Sequence, residues 1–139
     1  MILFFSETDY IIYQEDNWKE WLEEAVKKEG FETEKLNYIF CDDDYLLQIN
    51  LEYLEHDYYT DVIGFQYSKG NKLSGDIFIS IDRVKENAVN NEATFEKELA
   101  RVMIHGVLHF MNYGDKTAEE QEKMRRAENR HLAFFKEIN

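Results

Sequence analysis

Apolar side chains recur along the chain with two periods, which separate the segments that form strands from those that form helices. Strand and helix patterns alternate from one end of the chain to the other, as in an α/β or α+β fold. Segments rich in β-branched and aromatic residues predict strands at Ile2–Ser6, Leu36–Cys41, Thr60–Tyr67 and Gly75–Asp82. We therefore predict a small mixed β-sheet of about four strands packed with about five helices.

Residues typical of helix ends mark the first three predicted helices. Asp16 or Asn17 is expected to cap the first helix, and Gly30 to end it. One of the acidic residues Asp42–Asp44 can cap the second helix. Val84–Asn90 predicts a short third helix after the last strand.

The fourth and fifth helices have the clearest ends. Thr94 can cap a long helix that runs to about Met111 with an apolar stripe along it. Gly114 suits a reversal of the chain after that helix. Thr117 and Glu120 have the spacing of a capping box that opens the last helix.

The composition is that of an ordinary globular protein, with 44% hydrophobic and 32% charged residues. A length of 139 residues predicts a single domain over 1–139. No apolar run approaches the roughly 20 residues of a membrane helix, and the first residues lack the basic segment of a signal peptide. Cys41 is the single cysteine, so no internal disulfide can form. These features predict a cytoplasmic protein without a membrane partner.

The formal net charge of −13 constrains any function with nucleic acid. It argues against a broad nucleic-acid-binding surface, because phosphates must be met by positive charge. We expect no DNA partner. A role with RNA would require a local basic patch or a bound metal ion.

The segment HGVLHFMNYGD holds the candidate chemistry. On a helix, His105 and His109 lie one turn apart on the same face, so both imidazoles can reach one ion. Residues 112–114 suit a turn, after which Asp115 would bring a carboxylate. Three ligands with an open fourth position are typical of a catalytic zinc site. We predict a metal site at the end of this central helix, with zinc favoured and manganese, cobalt or nickel not excluded.

Two other interpretations of the histidine pair exist. Histidines at this spacing are common by chance, either at the surface or in the core. A metallopeptidase is disfavoured because Gly106 occupies the position where such enzymes keep a glutamate as general base.

The same segment resembles the signature His-Gly-x-Leu-His-Leu-x-Gly-Tyr-Asp-His of the YbeY family, bacterial endoribonucleases tied to rRNA maturation. The matching residues are His105, Gly106, Leu108, His109 and Tyr113. Without a gap, the third histidine of the signature falls on Asp115. A shift of one residue would place Lys116 there, and an ammonium group has no lone pair for a metal.

A second block of the chain, and the start of the long helix, support the resemblance, which runs from about residue 40 to 128. The matching positions of the block are Ile49–Asn50, Tyr53, Thr60–Phe65 and Gly75–Ile77. Glu98 and Arg101 lie where the family often has a glutamate and an arginine. Two positions depart from the pattern, since Leu54 replaces an arginine and Gly64 a serine.

The resemblance implies a zinc-dependent, single-strand-specific endoribonuclease that acts in rRNA processing, at the 16S 3′ end, and in ribosome maturation. Zinc would be held by His105, His109 and Asp115. Attack by a metal-bound water and attack by a ribose 2′-hydroxyl both remain open, and Arg101 is a candidate catalytic residue. The implied partners are rRNA precursors and components of the ribosomal subunit.

The departures keep two other functions open. Leu54 and Gly64 remove groups that could act on an RNA phosphate. One alternative is a non-catalytic ribosome-assembly factor whose fold is stabilised by metal, and another is a metal hydrolase acting on a different substrate.

The last predicted helix carries mixed charges, which are typical of a solvated face with pairs at (i, i+4). His56 and His131 lack ligand-like neighbours in the sequence, so we predict that both lie at the surface. The basic residues of this helix are Lys123, Arg125, Arg126 and Arg130. Residues predicted to pack in the core are Met124, Leu132, Phe134 and Phe135.

Overall fold

The structure is a computed structural model that describes residues 1–136. Its strands are β1 Ile2–Ser6, β2 Glu32–Cys41, β3 Val62–Gln66 and β4 Lys72–Ser80. Its helices are α1 Glu15–Lys28, α2 Asp43–Leu54, α3 Ile81–Asn90, α4 Phe95–Phe110 and α5 Ala118–Leu132. The predicted α/β class, with four strands and five helices in the described part of the chain, is confirmed.

The four strands form one mixed sheet in the order β1-β2-β4-β3. β1 and β4 both run parallel to β2, whereas β3 pairs with β4 in the antiparallel direction. Ile77 lies near the middle of the sheet, beside Tyr38 on one strand and Gly64 on the other. β4 is therefore an inner strand with a paired strand on each side, and the candidate site lies over it.

The alternation of side chains along the strands divides the core between the two faces of the sheet. Leu73, Ile77 and Ile79 of β4 are fully buried in the larger core, which includes residues of α1, α3, α4 and α5. On the opposite face, α2 covers the sheet with Leu46 and Ile49. Four helices thus share one face and leave α2 alone on the other.

Helix α4 lies in close contact with the sheet at Gly106. A Cβ atom at this position would lie 3.0 Å from Ile77 Cγ2 and 3.3 Å from Val62 Cγ2. Such distances are too short for comfortable packing, so the glycine allows the helix backbone to approach the strands. Gly106 therefore faces the sheet and sets the distance between the strands and the helix that carries the two histidines.

Phe110, in the last turn of α4, explains why a glycine stands at position 64. A Cβ atom on Gly64 would lie 2.9 Å from the Phe110 ring, and one on Gly75 would lie 2.6 Å from it. The aromatic ring thus occupies the space above both strands. The serine of the family pattern would not fit at position 64 without movement of this ring.

Some predicted ends of elements are wrong. Gln14, in the left-handed conformation, precedes α1 without a side-chain cap, and the predicted caps Asp16 and Asn17 lie inside the first turn. β4 ends at Ser80, not at Asp82, because the Ser80 hydroxyl accepts a hydrogen bond from the Arg83 amide and begins α3. β-branched residues at the start of α3 concealed this switch from strand to helix.

Other helix starts are confirmed. The Asp42 carboxylate accepts from the Tyr45 amide at 2.8 Å, and Thr94 caps α4. The capping box of Thr117 and Glu120 is present at the start of α5. In residues 1–136, no helix combines the length and the apolar character that a membrane span requires.

The predicted core residues of the C-terminal segment have different environments. Met124 is buried, and Leu132 is half-buried against the core. Phe135 contacts Trp18 and Trp21, with ring centroids 4.9 and 5.0 Å away. The core prediction for Phe134 is wrong, because it is exposed and its ring lies under the Lys28 ammonium group.

Candidate metal centre

The last two turns of α4 place His105 and His109 side by side. The helical spacing directs both rings to the same side of the helix, and their Nε2 atoms lie 3.1 Å apart. The ring planes are nearly perpendicular, at 83°. Both nitrogens therefore point to a common position beyond the helix surface.

A fixed turn after α4 brings Asp115 to the same position. Asn112 adopts a positive φ of 70°, a conformation that asparagine tolerates better than most residues. Gly114 is needed because a Cβ atom there would collide with the carboxylate of Glu120, which is held in the capping box. Gln121 of α5 donates to the Asp115 carbonyl at 3.0 Å. The turn is thus positioned by α5.

The three groups have the separations that one tetrahedral ion requires. Asp115 Oδ2 lies 3.2 Å from His109 Nε2 and 3.7 Å from His105 Nε2. Two ligands of a zinc ion at bond lengths of about 2.0–2.1 Å lie roughly 3.3 Å apart. Their side chains are 25%, 35% and 45% exposed for His105, His109 and Asp115, so solvent or a ligand can reach the fourth position. The predicted ligand set is therefore brought together in a form that fits a metal ion.

Glu128 of α5 orients the first histidine. Its Oε2 atom lies 2.8 Å from His105 Nδ1, and its Oε1 atom accepts a hydrogen bond from Arg101 Nη1 at 2.8 Å. The carboxylate is 5% exposed, so it is held within the protein. When His105 Nδ1 donates to this carboxylate, the lone pair of Nε2 is left free for a metal.

The second histidine is oriented by the backbone. His109 Nδ1 lies 2.9 Å from the carbonyl oxygen of Tyr113. A carbonyl can only accept, so Nδ1 carries the proton, and Nε2 again presents its lone pair. Each imidazole thus has one nitrogen fixed by the protein and one available for an ion.

The charges around His105 favour its protonated form in the absence of metal. Burial alone would lower the pKa of His105, but the hydrogen bond and charge of Glu128 outweigh burial and raise it. Burial alone would raise the pKa of Glu128, whereas the bonds from His105 and Arg101 lower it. A metal ion on Nε2 therefore competes with a proton for His105.

Arg101, the candidate catalytic residue, lies beside the site but is engaged with other side chains. Its Nη1 atom donates to Glu128, and its Nη2 atom donates to Asn129 Oδ1 at 3.2 Å. The side chain is 23% exposed. In this geometry Arg101 holds the carboxylate that orients His105, and its catalytic role stays a prediction.

Two clefts include His105 in their walls. Asp61 lines one of them and Asp115 the other, while Arg125 and Glu128 line both. Burial raises the pKa of Asp61, although the nearby His105 acts in the opposite direction. Substrate could therefore approach the metal position along surfaces formed by α4 and α5.

Glu128 was not predicted as a site residue, because it lies in the helix whose mixed charges predicted a solvated face. A signal was present, because Met124, Ala127, Glu128 and His131 recur at the spacing of one helix face, and all four are buried. A charged residue on such a face requires a partner. For Glu128, that partner is the metal-site histidine.

The surface prediction for His131 is wrong, and that for His56 is confirmed. His131 is 2% exposed, and its Nε2 atom lies 2.6 Å from Glu29 Oε2. Arg130 donates to the same carboxylate at 3.0 Å, and the Tyr113 hydroxyl donates to Glu29 Oε1 at 2.7 Å. A second histidine, carboxylate and arginine cluster thus joins the ends of α1 and α5 to the turn after α4.

A model of the family described as endoribonuclease YbeY matches residues 4–136 of this chain. The chain belongs to this family. The predicted YbeY resemblance is confirmed, and with it the prediction of a hydrolase that cleaves phosphodiester bonds within RNA.

Individual relatives agree with the family. A protein named endoribonuclease YbeY from Christiangramia forsetii is 50% identical over 134 residues, which cover 96% of this chain and 94% of the relative. One of the same name from Cytophaga hutchinsonii is 50% identical over 137 residues, covering 97% and 96%. The solution structure of a Thermotoga maritima protein is similar with a TM-score of 0.67 at 30% identity, covering 95% of this chain and 87% of that one.

Proposed function

We propose that this YbeY-family chain is a zinc-dependent endoribonuclease that cuts single-stranded RNA during rRNA processing, at the 16S 3′ end, and ribosome maturation. The ion would be bound by His105, His109 and Asp115, and residues 1–139 would act as one domain. The convergence of three ligand atoms, 3.1 to 3.7 Å apart, carries this proposal. Nitrogen and oxygen ligands with an open position favour zinc, while manganese and nickel accept similar sets.

The chemistry would use a small number of residues around the ion. When bound, a divalent ion supplies Lewis-acid stabilisation of charge that develops on a phosphate. Glu128 and the Tyr113 carbonyl fix the two imidazoles, so the ligands need no rearrangement when an ion or substrate arrives. Asp61, with its raised pKa, lines a cleft beside His105, where it can exchange a proton with bound substrate.

The acidic character of the protein fits a site that depends on metal. A net charge of −13 repels RNA, and a divalent ion supplies local positive charge at the point of cleavage. Components of the ribosomal subunit would supply the remaining attraction to rRNA. We place this activity in the cytoplasm, where Cys41, which is fully buried, would stay reduced.

Cleavage of a labelled single-stranded RNA by the zinc-loaded protein tests the proposal. We expect cutting that is lost with a chelator, restored by zinc, and weaker on the duplex form of the same RNA. His109→Ala should abolish it. His56→Ala is the matched control, because His56 is exposed and contacts Tyr58.

A ribosome-assembly factor without nuclease activity is the second candidate. Leu54 at the position of the family arginine favours it, since a group that could act on phosphate is absent there. In that case the zinc-loaded protein would bind precursor rRNA and leave it intact. Asp115→Ala would then lower the melting temperature of the metal-loaded protein without any loss of cleavage.

A further inference from the structure

Two arginines line the cleft that His105 shares with Asp61, and they differ in how firmly they are held. Arg101 uses two nitrogens in hydrogen bonds to Glu128 and Asn129 and is largely covered. Arg125 has a side chain that is 63% exposed. The two guanidinium groups are therefore suited to different roles.

Arg125 is loosely paired with the protein. Its Nη1 atom lies 3.6 Å from Glu128 Oε1, beyond ordinary hydrogen-bond distance. The same oxygen accepts the bond from Arg101 at 2.8 Å, and the other oxygen of Glu128 contacts His105. Since Glu128 is already satisfied by two partners, the charge of Arg125 remains available to an anion.

The place of Arg125 matches the path to the metal position. It lines both clefts whose walls include His105, and it also lines a third cleft together with Lys97. A strand of RNA that reaches the ion along α4 and α5 must pass this guanidinium. Arginine suits such a contact, because its planar group can donate two hydrogen bonds to one phosphate.

We propose that Arg125 binds a backbone phosphate of single-stranded RNA next to the phosphate at the metal position. This inference rests on the proposed function. It assigns a positive contact on α5 to a chain that has Leu54 in place of the family arginine on α2 and an excess of negative charge.

The adjacent residue provides a matched control. Arg126 lies on the same helix, is 72% exposed, and pairs with Glu122 instead of lining the clefts beside His105. Arg125→Ala and Arg126→Ala change the net charge by the same amount. Any difference between them therefore reports position, not total charge.

Binding of the zinc-loaded protein to single-stranded 2′-O-methyl RNA, checked to remain intact, gives the test at several salt concentrations. We expect Arg125→Ala to weaken binding about tenfold at low salt. It should also reduce the slope of log K against log salt by about 0.7, the value for one phosphate contact to a single strand. Arg125→Lys should keep the slope, and Arg126→Ala should match the wild type.

The metal content of each variant is measured alongside, and we expect one ion per chain in all four proteins. Equal losses for Arg125→Ala and Arg126→Ala, or an unchanged slope for Arg125→Ala, would overturn the inference while the nuclease proposal stands. Loss of the ion from Arg125→Ala would overturn it too, because Arg125 would then support the metal site. A wild-type protein that binds no single-stranded RNA would contradict both proposals.

Discussion

The chain builds the same three residue types into two clusters with different surroundings. In the first, His105 contacts Glu128, which is held by Arg101. In the second, His131 contacts Glu29, which is held by Arg130. Both carboxylates have a lowered pKa because hydrogen bonds from their partners outweigh the opposing effect of burial. The local chemistry of the two clusters is therefore nearly the same.

The clusters differ in what the histidine can reach. The Nε2 atom of His105 lies 3.1 Å from that of His109, and its side chain is 25% exposed. His131 is 2% exposed, so neither solvent nor substrate can approach it. Within residues 1–136, only the first cluster forms part of a group of three ligands around one point. An ion pair of this kind indicates function only when the histidine keeps an accessible nitrogen.

The largest expected effect is a loss of stability in the second cluster without any loss of metal binding. His131→Ala leaves the half-buried Glu29 carboxylate with two partners instead of three, and it opens a cavity at the end of α5. We expect it to lower the free energy of unfolding by about 2–4 kcal/mol. Denaturant unfolding measures this loss, while zinc content should stay at one ion per chain. Loss of zinc from this variant would contradict the division between the clusters.

Matched substitutions of the two carboxylates sharpen the comparison. Glu128→Gln keeps an acceptor for His105 but removes the negative charge, and we expect the zinc dissociation constant to rise about 10- to 100-fold. Glu29→Gln makes the same chemical change in the second cluster. It should alter zinc affinity by a few-fold at most, as measured by competition with a chelating dye. Equal effects on zinc affinity would show that the clusters are not distinct.

The two clusters should also lose their contributions to stability at different pH values. Glu128 raises the pKa of His105 above its ordinary value of 6.5 in spite of burial. Zinc requires the deprotonated ring, so zinc should stabilise the fold less as pH falls through this raised pKa. In the metal-free protein the sign is opposite, because the protonated His105 pairs with Glu128 and its contribution is lost as pH rises. The pKa of Glu29 is lowered from 4.5, so its contribution persists until pH falls below that value.

Melting temperatures with and without zinc, measured across this range, check both signs. As pH falls, the increase in melting temperature due to zinc should shrink first. The stabilisation by the second cluster, around Glu29, should be lost at a lower pH. A zinc-dependent increase that stays constant to pH 4 would contradict this order.

The smallest expected effect concerns the residue that links the clusters. The Tyr113 carbonyl accepts from His109, and its hydroxyl donates to Glu29. Tyr113→Phe keeps the carbonyl contact but removes the hydroxyl, which also accepts from Arg130 at 3.1 Å, so we expect the zinc dissociation constant to rise a few-fold. Tyr38→Phe is a control, because its buried hydroxyl donates to the Met103 carbonyl, away from the turn. A similar loss of zinc affinity in both variants would contradict the proposal that Tyr113 links the two clusters.

The sequence was sufficient for features that depend on local spacing. The period of apolar residues predicted the strands, and Thr94 and Thr117 marked the starts of α4 and α5. The helical repeat placed His105 and His109 on one face, which the structure confirms. Each of these features is decided by residues within a few positions of one another.

Features that depend on distant residues could not be predicted in this way. Glu128 meets His105 across 23 positions, and His131 meets Glu29 across 102. Mixed charges made α5 resemble a solvated helix, because pairs along one helix and pairs between helices use the same residue types. Only the position of Glu128 on the buried face distinguishes the two cases.

Zinc titration of the metal-free protein by calorimetry tests the central claim most directly, since that claim is that two imidazoles and one carboxylate hold a single ion. We expect one saturable site per chain in the wild type and in His131→Ala, and none in His105→Ala or His109→Ala. A wild type without a saturable site, or a His109→Ala variant that binds zinc as tightly as the wild type, would contradict the account.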